Sequence, residues 1–301
     1  MRYAFLSFLT FTIVSSGSLF SQQYVNLSVD NDLYFQTDQY YSSGIFISLG
    51  NLKKEEDQEE TFPKKYVHWI LGQEIYTPSK RYSRDTDQFD YPFGGWLFLE
   101  KSFEKYKSAF SAWGGSVKLG VTGKASLAPY LQNLYHDKVL GLPNVTWEQA
   151  LPQRFHVNLN VTHKKRLPLM EHLALLYEFF GTLGTQRISS GGRIGLLYGT
   201  SKALSFLGNP LEMQSKGYGI YAGTRQEYRP HDYMLSGSLF DDEAPFVLDA
   251  IEHKNSLEVG FAYYTSKWRF LTLWNSISKD NRLQRGTRHY YINISVGRFL
   301  N

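Results

Sequence analysis

Leu257–Tyr263 reads LEVGFAY, and its large apolar side chains occupy every second position. Successive side chains of a β-strand point to opposite faces, so this pattern predicts a strand with one apolar face. The same alternation recurs in Val25–Val29, in Val157–Val161 and in Tyr291–Gly297. Repeated runs of this kind, about ten residues long, are typical of transmembrane β-barrel strands.

Twelve such segments can be placed along the chain. They lie near 24–36, 43–52, 66–77, 94–104, 107–122, 153–164, 170–183, 187–199, 217–230, 254–265, 267–278 and 288–300. An even number of strands allows an antiparallel barrel to close, and closure leaves no unpaired edge in a bilayer. The predicted fold class is therefore all-β: a closed antiparallel transmembrane β-barrel of about 12 strands, with one short loop helix.

The connections between these segments are of two kinds. Turn residues at 105–106, 184–186 and 266–267 predict short turns, whereas residues 53–60 and 229–242 are long and charged. Outer-membrane barrels have short turns on one side and longer loops on the other. The sequence therefore predicts two unequal ends.

The N-terminus has the pattern of an export signal. Arg2 precedes the apolar run Tyr3–Val14, and small residues follow. This order is typical of a cleaved secretory signal, and the run is too short for a membrane-spanning helix. We predict a signal peptide over residues 1–21 and a single barrel domain over residues 22–301.

Composition excludes some classes of function. The chain has 301 residues and no cysteine, which excludes thiol catalysis and cysteine-ligated metal sites. Its formal net charge of +4 is too small to indicate a nucleic-acid partner. Aromatic residues make up 16% of the chain, which suits the aromatic girdles of a membrane barrel but also a soluble all-β domain.

Acidic and amide residues cluster where the first predicted strand ends. Asp30, Asn31, Asp32 and Asp38 fall within nine residues, although such residue types are depleted in strands. A cluster that breaks the local rule is a candidate functional site. Asp32 with Asn31 offers the hard oxygen ligands that Ca²⁺ prefers. Alternatively these aspartates, and Asp38 above all, are solvated charges at the barrel rim.

One segment lacks the alternation and predicts a helix. Ser126 can cap its N-terminus, Pro129 lies in its first turn and Gly141 ends it. Gln132 and His136 are four residues apart and therefore share one helix face. This face is a candidate catalytic site, or alternatively part of an ordinary loop helix.

The residue types on that face suit ester hydrolysis. Histidine titrates near neutrality, so His136 is a candidate general base. The chain contains no Gly-x-Ser-x-Gly motif, and a water activated by His136 is therefore simpler than a serine nucleophile. Gln132 could orient the imidazole, and a Ca²⁺ ion at Asp32 could polarise the ester carbonyl.

Four patches of the sequence are similar, in order, to a known family. They are Asn31–Leu33 with Asp38–Gly44, Gly72–Pro78 (GQEIYTP), Asp90–Leu97 (DYPFGGWL), and Gly120–Gly123 leading into Gln132–His136 and Trp147–Gln149. Together these patches resemble the outer-membrane lipid A 3′-O-deacylases. They cover the first half of the predicted mature chain.

The resemblance implies a calcium-dependent esterase in the outer membrane that removes the 3′-linked acyloxyacyl chain of lipid A. Its partner would be lipopolysaccharide of the outer leaflet. The implied active-site positions are Asn31, Asp32, Ser42, Tyr91 and His136. Ser42 replaces the usual threonine and keeps the hydroxyl, whereas Tyr91 replaces a basic residue that would bind substrate. Lys124, beside the predicted helix, is the first candidate for a replacement cation.

Two other classes of function remain open. A phospholipase-type esterase of the outer membrane would share the location, the calcium and the ester chemistry. A non-catalytic channel or adhesin barrel would need no helix that carries Gln132 and His136. The residues alone do not separate lipid A from phospholipid; the four patches favour lipid A.

Overall fold

The computed structural model of the protein describes residues 20–35, 37–53, 62–212 and 216–300. Twelve strands form one closed antiparallel barrel, in which each strand pairs with its sequence neighbours and the first pairs with the last. The strands are β1 (Phe20–Asn31), β2 (Tyr40–Lys53), β3 (Lys64–Thr77), β4 (Gly94–Ser108), β5 (Ser111–Thr122), β6 (Phe155–Met170), β7 (Leu173–Gly184), β8 (Arg187–Gly199), β9 (Gly217–Asp232), β10 (His253–Tyr264), β11 (Trp268–Ser278) and β12 (Arg288–Phe299). The predicted fold class is confirmed.

The alternation of the sequence corresponds to the two faces of the barrel wall. In β10, the side chains of Leu257, Val259 and Phe261 are about half exposed on the outside, whereas Glu258 and Ala262 are buried inside. The outer wall is therefore apolar, as a bilayer requires.

The lumen is lined mainly by polar and charged side chains. Lys164 contacts Glu104, and Arg193 lies 2.9 Å from Glu258. Part of the long connection after β8 also folds into the lumen, where Arg269 donates hydrogen bonds to the carbonyls of Phe206 and Gly208. Polar contacts thus cross the lumen, which also contains a cavity of about 400 Å³.

The two ends of the barrel differ, although not as predicted in every detail. One end holds the connections 32–39, 78–93, 123–154, 233–252 and 279–287. At the opposite end, β1 begins and β12 ends. The predicted turn at 105–106 is wrong, because those residues continue β4 and the turn is at 109–110. The tight turn at 185–186 lies at the end with the long loops, so that end is not uniformly long-looped.

The predicted loop helix is confirmed as α1 (Ala128–Tyr135), continued by a π-helical turn over His136–Leu140. Gly141 ends it in the left-handed conformation (φ 64°). Leu127 occupies the N-cap position, and the predicted contact of Ser126 with the helix start is still made: its hydroxyl accepts from the Ala128 amide and donates to the Gly123 carbonyl. A second short helix, α2, spans Tyr233–Ser236.

Among the helices of the described ranges, none is long and apolar enough to cross a membrane. The predicted signal peptide falls almost entirely on residues outside those ranges, and it stays a prediction.

Candidate active site

Helix α1 packs against the outer wall of the barrel, not inside it. Gln73, on an outward position of β3, donates a 2.6 Å hydrogen bond to the carbonyl of Ser126. On β4, a Cβ added to the outward-facing Gly95 would lie 2.2 Å from the Cβ of Ala128, so only glycine allows this approach. The space between helix and wall is therefore on the lipid-facing side.

The two faces of α1 have opposite character. Gln132 and His136 point toward the wall and are 6% and 2% exposed. The exposed apolar residues of the helix and its flanks point away from the wall: Leu127, Tyr130, Leu131, Leu134, Tyr135 and Val139. The helix thus covers a polar site with an apolar outer surface.

Asp38 lies at the centre of this polar site. Its Oδ2 is 2.9 Å from His136 Nε2, and its Oδ1 accepts a 3.3 Å hydrogen bond from Gln132 Nε2. Thr77 Oγ1 donates to the Asp38 carbonyl and fixes the backbone against the end of β3. The rim position thus holds a carboxylate that binds the predicted base, and the interpretation of Asp38 as a solvated charge is wrong.

Arg81 supplies the positive charge beside Asp38. Its Nε is 3.0 Å from Asp38 Oδ2, and its Nη1 donates to the Asp38 carbonyl at 3.2 Å. Thr146 donates to the Arg81 carbonyl and so ties the loop after β3 to the loop that carries the helix. Three loops that are distant in sequence therefore meet at one carboxylate.

Both ring nitrogens of His136 lie against oxygen acceptors. Nε2 contacts Asp38, and Nδ1 is 3.2 Å from the carbonyl of Pro143. Neither oxygen can donate a proton, so a doubly protonated ring satisfies both contacts and a neutral ring satisfies one.

Asp32 organises the loop that presents Asp38. Its Oδ2 accepts hydrogen bonds from Thr37 Oγ1 at 2.9 Å and from the Gln39 amide at 3.0 Å. Burial, together with the nearby Asp38 carboxylate, raises the pKa of Asp32 to about 8. Asn31 accepts from the Leu33 amide and caps the turn that follows β1.

Ser42 lies at a β-bulge. The pairing of β2 with β3 skips this residue between Tyr41 and Ser43, and bulges of this kind re-aim side chains next to active sites. The Ser42 carbonyl accepts from the Asp32 amide, and its hydroxyl points to the Ile75 carbonyl at 3.5 Å. Ser42 is therefore held beside Asp32, and its role in catalysis stays a prediction.

Ca²⁺ in proteins is bound by oxygen atoms of carboxylates, side-chain amides, backbone carbonyls and water. Within the described part of the chain, no group of three or more His, Cys, Asp or Glu side chains is arranged to hold a metal. The oxygens available are of the hard type: the buried Asp32 carboxylate, the Asn31 amide and the Gln132 Oε1, which is buried without a hydrogen-bond partner. These donors fit Ca²⁺ in chemistry, with backbone oxygens and water needed to complete the coordination.

Two predicted substrate-binding residues lie outside this group. Tyr91 is 1% exposed and packs between Tyr40 and Tyr76 in an aromatic cluster, where burial raises its pKa well above the usual value. Lys124 is exposed on the turn before α1. Their contact with substrate stays a prediction, and Tyr91 would be reached only if that cluster opened.

Sequence reasoning missed Arg81 and undervalued Asp38. Asp38 is the first residue in the second part of the first patch. Arg81 follows Pro78, the last residue of the second patch, by three residues. A buried base needs an acceptor and a counter-charge, so the residues adjoining each patch are where these partners could have been sought.

The chain is similar to one known protein family and to several solved structures of outer-membrane barrels. The family model described as outer membrane protein LpxR matches residues 4–298. The solved structure of LpxR from Salmonella typhimurium has a TM-score of 0.76 at 18% identity, covering 92% of this chain and 100% of that chain, which shows a shared fold. The outer-membrane channel COG4313 from Pseudomonas putida F1 gives 0.45 at 14% identity, covering 95% and 100%. The β domain of the Bordetella autotransporter BrkA gives 0.46 at 9% identity, covering 92% and 97%. None of the curated proteins matches the chain significantly.

Proposed function

The chain belongs to the LpxR family of outer-membrane proteins and is an outer-membrane lipid A deacylase, and from this premise we propose its mechanism and bond specificity. The proposed reaction is hydrolysis of the ester that links the acyloxyacyl chain to the 3′ position of lipid A. The nucleophile is a water that gives its proton to His136, and Ca²⁺ assists.

The contact between His136 and Asp38 carries the proposal. A carboxylate 2.9 Å from a buried imidazole orients the ring and stabilises its protonated form. Gln132 donates a hydrogen bond to the other oxygen of Asp38 and so restrains the orientation of the carboxylate. Arg81 Nε lies 3.0 Å from the same Asp38 oxygen and places a positive charge beside the carboxylate.

The water must reach one nitrogen of His136. It replaces one of the two oxygen contacts of the ring, and the remaining acceptor stabilises the imidazolium after proton transfer. The proton then passes to the leaving alkoxide as the ester bond breaks. His136 thus acts first as base and then as acid.

Asp32, Asn31 and the unpartnered Gln132 Oε1 are the residues that would hold Ca²⁺. A bound Ca²⁺ would polarise the ester carbonyl and stabilise the oxyanion. The buried Asp32 carboxyl favours this role, because burial disfavours its charged form and a bound cation would offset that cost.

The position of the site favours a membrane lipid as substrate. Helix α1 lies on the outer wall with its apolar residues facing away from the protein. A lipid in the adjacent leaflet can therefore place an ester between helix and wall without leaving the bilayer. A site for a soluble ester would not need this apolar surface.

The decisive experiment is mass spectrometry of lipid products. Purified protein with Ca²⁺ is expected to remove one acyloxyacyl chain from lipid A and to leave phosphatidylethanolamine intact. Lipid A from cells with and without the protein should differ by the same mass. Cleavage of the phospholipid instead would favour a phospholipase-type esterase, and no cleavage of either would overturn the proposal.

A further inference from the structure

The loop that carries Asp38 enters β2 through a residue with a strained backbone. Tyr40, two residues after Asp38, is the first residue of β2 and has a φ of 60°. Residues other than glycine rarely adopt this left-handed conformation, and a bulky aromatic residue keeps it only where its surroundings hold it. Tyr40 is 1% exposed, so other residues enclose its side chain. Contacts of the Tyr40 side chain therefore maintain the backbone beside Asp38.

Two hydrogen bonds fix the Tyr40 hydroxyl. It donates to Asp90 Oδ2 at 2.9 Å and accepts from the Arg285 amide at 2.7 Å, and Arg285 Nε lies 3.8 Å from the same Asp90 oxygen. The Tyr40 ring also contacts Tyr91 and His289, with centroid distances of 5.7 Å in both pairs. The hydroxyl thus links the start of β2 to two other connections at the same end of the barrel.

The second oxygen of Asp90 holds the loop that carries Arg81. Asp90 Oδ1 accepts a 2.8 Å hydrogen bond from the amide of Ser79, which lies two residues before Arg81. Asp90 is 5% exposed, and its carbonyl accepts from Asn281 Nδ2 at 3.0 Å. One buried carboxylate therefore binds both of the segments that bring Asp38 and Arg81 together.

We propose that Asp90 and Tyr40 are positioning residues of the deacylase, an inference that rests on the proposed function. They act through Asp38 and not on the ester. Their contacts join the loop that holds Asp38 to the loop that holds Arg81, and Asp38 in turn orients His136. A catalytic group must be held within about 0.5 Å of its productive position, so a small shift of Asp38 should lower the rate.

The partners of Asp90 explain why a carboxylate occupies this position. Both are donors: the Ser79 amide, and the Tyr40 hydroxyl, which already accepts from the Arg285 amide. A carboxylate offers an acceptor oxygen to each partner, whereas a side-chain amide has one oxygen and a nitrogen that only donates. Asp90→Asn should therefore release one of the two loops while it keeps the size of the side chain.

The test is a double-mutant cycle on the full barrel in detergent micelles, with lipid A as substrate and Ca²⁺ present. Asp90→Asn should lower kcat about tenfold and change KM by less than about twofold, because it moves a catalytic group and removes no substrate contact. Tyr40→Phe keeps the ring contacts and should lower kcat about two- to tenfold. In an Asp38→Asn background, Asp90→Asn should lower kcat by less than about twofold more, because its effect passes through the Asp38 carboxylate.

Two substitutions nearby serve as matched controls. Tyr76→Phe removes a buried hydroxyl from the same aromatic cluster, but this hydroxyl donates to Glu74 in the lumen. Asp85→Asn replaces a carboxylate in the same connection as Asp90, where Asp85 accepts from the Asp87 amide and caps a 3₁₀ turn. Both should keep the wild-type kcat, and the gel mobility of unheated samples verifies that each variant is folded.

The outcomes separate this inference from the proposed function. A wild-type kcat in both Asp90→Asn and Tyr40→Phe, together with a loss in Asp38→Asn, would overturn the positioning role alone. Losses that multiply in the double variant would also contradict it, because Asp90 would then act independently of Asp38. A wild-type rate in Asp38→Asn would instead remove the contact on which the proposed function depends.

Discussion

Two buried clusters of this barrel contain the same three kinds of group, and we propose a catalytic role for only one of them. In the outer-wall site, Asp38 contacts His136 at 2.9 Å and Arg81 at 3.0 Å. In the lumen, Glu104 contacts His68 at 3.4 Å and also Lys164. A carboxylate between a histidine and a cation therefore does not by itself identify an active site.

The difference lies in the surroundings. His68 faces the lumen, with Tyr24 and Tyr66 beside its ring, and the barrel wall separates it from the bilayer. His136 lies under a helix whose outer surface is apolar, beside an unpartnered Gln132 oxygen. Access from the bilayer therefore distinguishes the cluster that we propose as catalytic from the one in the lumen.

The largest expected effect is at the two histidines. His136→Asn should lower the rate of lipid A deacylation about 10²–10⁴-fold, because an amide cannot take the proton from water. His68→Asn should leave that rate almost unchanged. Both are measured as initial rates by mass spectrometry of lipid A, at equal amounts of folded barrel. If both variants lost activity equally, the distinction between the clusters would be lost.

The next effect compares two aspartates that lie two residues apart. Asp32→Asn should lower activity about 10²–10³-fold, because it weakens a Ca²⁺ site that stabilises the oxyanion. A chelator should abolish wild-type activity and added Ca²⁺ should restore it. Asp30 faces the lumen, where Tyr41 and Asn293 donate to it, so Asp30→Asn is the matched control and should remain active.

Asp32 also holds its loop through Thr37 and Gln39, so loss of activity alone does not prove metal binding. The Ca²⁺ affinity of Asp32→Asn, measured by calorimetry, separates the two roles. An unchanged affinity with lost activity would leave Asp32 as a residue that positions Asp38.

The sequence predicted the barrel better than the site. Alternation depends only on local order, and it located all twelve strands, although β1 ends at Asn31 and not near residue 36. Spacing also placed Gln132 and His136 on one helix face. The structure confirms this: Gln132 in α1 and His136 at the start of the π-helical turn are both buried against the wall. The link from Asp38 to His136 joins residues 98 positions apart, and no local pattern carries that information.

Substitution of the two carboxylates should separate catalysis from stability. Asp38→Asn is expected to lower activity about 10–100-fold, since it removes the group that orients His136. Its effect on stability should be small, because the Arg81 side chain is one-fifth exposed and water can solvate it. Glu104→Gln should do the reverse: it removes the carboxylate that contacts the buried Lys164 and His68, at a cost of about 3–5 kcal/mol in the free energy of unfolding.

Urea unfolding in detergent and lipid A turnover, measured on the same samples, test this pair. A stable but inactive Asp38→Asn, with an active but less stable Glu104→Gln, would support the assignment. The opposite pattern would place the catalytic carboxylate in the lumen.

The smallest expected effect is at Gln132, where two roles can be distinguished. Gln132 Nε2 donates a long hydrogen bond to Asp38, so Gln132→Ala should lower activity only about two- to tenfold.

Gln132→Glu tests the unpartnered Oε1. If that oxygen is a Ca²⁺ ligand, a carboxylate there should keep or raise Ca²⁺ affinity, because it adds negative charge to an oxygen site. If Gln132 serves only to hold Asp38, the new carboxylate repels Asp38 and lowers activity below that of the alanine variant, with Ca²⁺ affinity unchanged. Calorimetric affinity and initial rate, compared across the two variants, therefore decide whether Gln132 belongs to the metal or to the base.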